Sequence, residues 1–154
     1  MICRGEIRPL KKEDLQSLLI ESMHEEDRLW MDEGMMNMLI SQPFSVSIFY
    51  KDRLMLSGGV IGYWFNRAQV WTFFSEKSKD NFISAFRAIK RFLDYQPFNR
   101  VELSVPVNFE QGKRRALLLG FNLECESAKS YLPDGTDCAL FSFIKGDKWQ
   151  KQQS

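Results

Sequence analysis

The sequence predicts a mixed α/β domain, an α+β arrangement of about seven strands and four helices around one sheet, on three observations. The spacing of apolar residues changes along the chain, from helical at Leu15, Leu18, Leu19 and Met23 to alternating from Phe44 onward. It returns to helical spacing at Phe82, Phe86, Ile89 and Leu93. A hydrophobic content of 44%, with 14% aromatic residues among 154, is enough to close a core over such a sheet.

Taken in order, "ICRGEIRPL" alternates as a first strand and is stopped by Pro9. The first helix follows, with Glu13 and Asp14 suited to its positive N-terminal end. "HEEDRLWMDEGMMNMLISQP" reads as a second, Met-rich helical segment, broken near Gly34 and ended before Pro43. "SVSIFY" and "RLMLSGGVIGYWF" flank Lys51 and Asp52 as a hairpin. Inside it, Gly58 and Gly59 signal either a bulge or a close backbone approach. Asn66 and Arg67 turn the chain into "AQVWTFFS". The next helix turns Arg87, Lys90 and Arg91 away from its apolar face. "RVELSVPV" is a strand, "FEQGKRRALLLG" a helix closed by Gly120, and "FNLECES" a strand. A turn at Pro133, Asp134 and Gly135 leads to the last strand, "DCALFSFI". The expected organisation is a single domain over residues 1–146 and a polar tail over 147–154.

A net charge of +1, from 21 basic and 20 acidic residues, gives no global attraction to nucleic acid or an anionic membrane. Cys3, Cys125 and Cys138 form neither a disulfide framework nor a zinc motif, so no metal is expected. The N-terminus lacks the apolar core of a signal peptide, and no apolar run approaches the roughly 20 residues of a membrane span. A cytoplasmic protein is the expectation. His24, the only histidine, has no catalytic partner at a recognisable spacing.

This order, with particular residues inside it, resembles the GNAT family of acyl-CoA N-acyltransferases. "IRPLKKEDLQSLL" looks like the family's opening strand and helix start, "RALLLGF" like its late helix ending in Gly-Phe, and "YLPDGTDCALFSF" like its closing hairpin. The resemblance implies a GNAT-like sheet splayed between its fourth and fifth strands, acetyl-CoA as cofactor, and an amine as acceptor. A narrower resemblance, carried by "HEEDRLWMDEG", "VWTFFSEKS" and the late "LGF", is to small GNAT-like phage proteins encoded with the virion genes of short-tailed phages. It implies a phage or host protein as partner, and the host cytoplasm or the virion as location.

Three positions test the implied chemistry. Catalytic GNAT proteins carry glycines in the turn after the fourth strand, so that backbone amides can approach the cofactor's pyrophosphate. Here residues 75–81 hold none, and Glu76 and Asp80 add negative charge. A modified site would use Ser75, Lys77, Ser78, Lys79, Asp80 and Asn81; the preferred reading is an ordinary helix start with Ser78 as N-cap. Many family members place a Tyr general acid where this chain has Ala116, which leaves Tyr131 and Tyr63 with no spacing to select either. Glu102, on the fifth strand and sharing a face with Ser104, is the candidate base, with a plain solvent-facing role as its alternative. Asn108 fits the family's Asn apart from a one-residue offset, either contacting cofactor or capping the next helix.

Glu25, Glu26, Asp27, Asp32 and Glu33 would attract a basic amine or form a solvated helical face, the latter preferred. Met31, Met35, Met36 and Met38 read as core filler or as an adaptable partner surface. Trp64, Phe65, Trp71, Phe73 and Phe74 read as strand packing, and Arg87, Lys90, Arg91, Lys113, Arg114 and Arg115 as soluble helix faces. Two functions stand: a GNAT-fold protein with a degenerate acetyl-CoA site that binds a protein or serves virion assembly, and an active N-acetyltransferase. The missing glycines and missing Tyr favour the first.

Overall fold

The computed structural model of the chain describes residues 5–21, 31–76, 78 and 82–145. Its strands and helices, in chain order, are β1 Glu6–Pro9, α1 Lys12–Glu21, α2 Glu33–Ser41, β2 Ser45–Tyr50, β3 Arg53–Trp64, β4 Arg67–Phe74, α3 Phe82–Asp94, β5 Arg100–Pro106, α4 Glu110–Leu118, β6 Asn122–Ala128 and β7 Cys138–Ile144. The sheet order is β1-β2-β3-β4-β5-β7-β6. β4 pairs with β5 in parallel, through Arg67, Ala68 and Gln69 opposite Arg100, Val101 and Glu102. The expected mixed α/β class, with seven strands and four helices, is therefore present among the described residues. The expected strand start at Ile2 and Cys3, the polar tail, and the segment from Met23 to Trp30 with His24, Glu25, Glu26, Asp27 and Arg28 lie outside them.

The chain divides into two compact units, Met1–Ile61 with Trp71–Gln96, and Gly62–Val70 with Pro97–Ser154. The first has apolar side chains on both faces of its strands. On one face Leu10, Leu15, Met31, Met36 and Leu39 pack with Trp71 and Phe73. On the other, Ile48 and Leu56 meet Ala85 and Ala88 of α3, with Phe74 alongside. Trp71 and Phe73 against Phe74 is the alternation that a strand imposes on successive side chains.

Asp32 caps α2, its carboxylate accepting from the Met35 amide at 2.8 Å. The helix therefore starts at Glu33, and Gly34 lies in its first turn. On α1, Asp14 accepts from the Lys11 amide at 3.1 Å and from the Ser47 hydroxyl at 2.8 Å. Ser47 and Ser57 are fully buried, their hydroxyls 2.8 Å apart. Because the one Ser47 proton goes to Asp14, Ser57 must donate to Ser47. This wire ties α1 to β2 and β3.

Lys51 and Asp52 both take left-handed backbone, φ 49° and 60°, the tight primed hairpin turn that matches strand twist. Gly58 and Gly59 mark a close approach and not a bulge. A Cβ at Gly58 would lie 2.8 Å from the Trp71 carbonyl oxygen, and one at Gly59 2.5 Å from that of Phe44. The bulge is at Met55 instead: Ile48 pairs with Leu56 and Phe49 with Leu54, leaving Met55 unopposed. On α3 the buried residues are Ala85, Ala88 and Leu93. Phe86 is only half-buried, and Arg91, expected to face away, is half-buried and donates to the Gly5 carbonyl at 3.2 Å.

In the second unit Phe65 and Asn66 form the turn, and Arg67 already opens β4. Val101, Val105, Ala139 and Phe141 are buried, as are Ala116, Leu119 and Phe121 at the end of α4. Gly120 ends that helix as expected, at φ 94°, with its amide bonded to the Leu117 carbonyl and that of Phe121 to Ala116. Gly135 closes the turn into β7 at φ 86°.

Candidate functional site

In the first unit, the segment after β4 is set by the bulge. The unopposed Met55 turns its carbonyl to the Ser75 amide at 2.8 Å. The Ser75 carbonyl in turn accepts the Ser78 amide at 3.0 Å and the Ser78 hydroxyl at 2.6 Å. Ser75 and Ser78 are 3% and 1% exposed, so the two hydroxyls that a modified phosphate site would use lie inside the fold. The exposed side chain among the described residues of this turn is Glu76, an acid. Lys77, Lys79, Asp80 and Asn81 lie outside the described residues. The turn has no glycine, and among its described residues the two serines are buried and the exposed Glu76 is anionic. The acids considered for an amine are partly accounted for as well: Asp32 caps α2, and Glu33 pairs with Lys12.

The second unit holds Glu102, and the structure gives it partners that the spacing did not reveal. Its Oε1 accepts from Arg67 Nε at 2.7 Å and Arg100 Nε at 2.7 Å; its Oε2 accepts from Arg67 Nη2 at 2.9 Å. Arg100 continues to both oxygens of Glu124. The result is a ladder, Arg67–Glu102–Arg100–Glu124. The hydrogen bonds from Arg67, then those from Arg100, hold the Glu102 carboxyl below its ordinary range against the opposing effect of burial. Glu102 is thus a half-buried ion-pair partner, and a carboxyl held in this way is a weaker base than a free one. Its shared face with Ser104 is as expected: Gln69 donates to the Ser104 hydroxyl at 3.2 Å. The i, i+2 pair Arg100 and Glu102 was the legible signal; Arg67, 35 residues away, left none.

This pairing has a pH signature. The carboxyl binds a proton less readily in the folded chain than in the unfolded one, so its contribution is complete above about pH 4.5 and is lost as pH falls through its lowered folded pKa. Wild type and Glu102→Gln should differ in urea midpoint at pH 6, and the gap should narrow below about pH 4.5. A gap that stays constant to pH 3 contradicts the ion-pair role.

Of the remaining expected residues, Tyr131 lies close enough to Glu102 and Tyr63 in the second unit to feel their charge. Ala116, at the position of the family's Tyr, is fully buried. Tyr131 lies in the β6–β7 connection, 43% exposed, its hydroxyl pKa raised chiefly by burial and then by the charge of Tyr63. Asn108 is exposed in the turn before α4, whose N-cap is Phe109 without a side-chain bond, so Asn108 is not the cap. Tyr63 donates to Gln69 rather than reaching a substrate site. Trp64 and Phe65, expected as strand packing, are 57% and 87% exposed. Glu13, Asp14, Ser17, Phe49, Asp52, Arg53 and Leu54 line a cleft of about 370 Å³ in the first unit. Among the described residues no three His, Cys, Asp or Glu side chains cluster as metal ligands, and no helix is long and apolar enough to cross a membrane.

The element order and the sheet match solved acetyltransferase structures of the GNAT class. A probable acetyltransferase superposes with a TM-score of 0.72 at 16% identity, covering 94% of each chain. A spermidine N-acetyltransferase chimera of Vibrio cholerae SpeG superposes at 0.71 and 15% identity, covering 95% of this chain and 98% of that one. An N-acetyltransferase from Staphylococcus aureus gives 0.73 at 12% identity, covering 91% and 97%. No protein-family model and no curated protein matches the chain. At these identities the likeness is one of fold: the chain has a GNAT-type acetyltransferase fold.

Proposed function

We propose that the chain is a GNAT-fold protein that has given up acetyl transfer and acts by binding another protein, as a phage-encoded virion-assembly factor in the host cytoplasm. The observation that carries the loss of chemistry is Glu102, whose two carboxylate oxygens are taken by Arg67 and Arg100. The buried serines after β4 and the buried Ala116 support it independently, one at cofactor binding and the other at proton delivery. The phage setting rests on the resemblance of "HEEDRLWMDEG" and "VWTFFSEKS" to small phage proteins.

Acetyl-CoA at 1 mM should leave the thermal midpoint unchanged, whereas a ligand at 100 times its Kd would add about 2.7 kcal/mol. A saturable rise in thermal midpoint with acetyl-CoA overturns the proposal. The second reading, an acetyl-CoA-dependent N-acetyltransferase acting on an amine, is favoured by the fold of the matched structures, several of which are named for spermidine N-acetyltransferase.

A further inference from the structure

We draw no further inference here: the strongest candidate, the cleft of about 370 Å³ between the start of α1 and the β2–β3 hairpin in the first unit, is lined by an acidic cluster of Glu13, Asp14 and Asp52, in which Asp14 and Asp52 already accept from Ser47 and Arg8, and nothing else among the described residues points to a ligand there.

Discussion

Gly59→Ala is expected to destabilise the protein by about 3 kcal/mol, lowering the thermal midpoint by roughly 6–12 °C. The added Cβ would lie 2.5 Å from the Phe44 carbonyl oxygen and 3.0 Å from the Ser45 Cα, both backbone atoms that no rotamer change can move. Relief requires the start of β2 to shift, and with it the pairing of Ser45 with Gly59. The Leu10 amide and the Val60 amide bond to carbonyls at this same point, so the strain reaches β1 and β3 together. Urea denaturation measures the effect. A change below about 0.5 kcal/mol, the scale of ordinary surface substitutions, would mean that the backbones are further apart than described here.

Leu15→Ala is expected to be comparably damaging, at about 2–5 kcal/mol, for the opposite reason. Leu15 is 1% exposed and packs with Leu10, Met31, Met36 and Leu39, joining α1 to α2. Removing its branched end leaves a cavity that neighbours fill only partly; the flexible methionines make the lower half of that range the expected result. Leu15→Met should recover most of the loss, since volume is retained. Equal damage from both substitutions would point away from cavity formation.

Much of this was legible in the sequence because its signals are local. Gly120 after a helical run, Gly135 behind Pro133, and two polar residues between alternating strands each specify a backbone conformation within a few residues, and each is where it was expected. Asp32 carries a local signal too, an acid three residues before the amide that donates to it, but one masked by the run of acids around it. The bulge at Met55 was not legible, because a bulge is a property of the register between two strands and no residue type marks it. The glycines that suggested it serve close packing against Phe44 and Trp71. At the candidate site the pattern was similar. The absence of glycine after β4 and the alanine at 116 could be read directly, whereas the fate of Glu102 depended on Arg67, brought alongside only by the parallel pairing of β4 and β5. The exposure of Trp64 and Phe65 follows from their place at a hairpin end, which alternation alone cannot distinguish from strand interior.

The proposed loss of transfer chemistry, argued from the engaged Glu102, is directly measurable. Release of free coenzyme A from acetyl-CoA, followed with a thiol reagent in the presence of spermidine or lysine-containing peptides, is expected to stay at the rate seen without protein. Protein-dependent release that falls about 10²–10⁴-fold in Glu102→Gln, the range for loss of a general base, would contradict it.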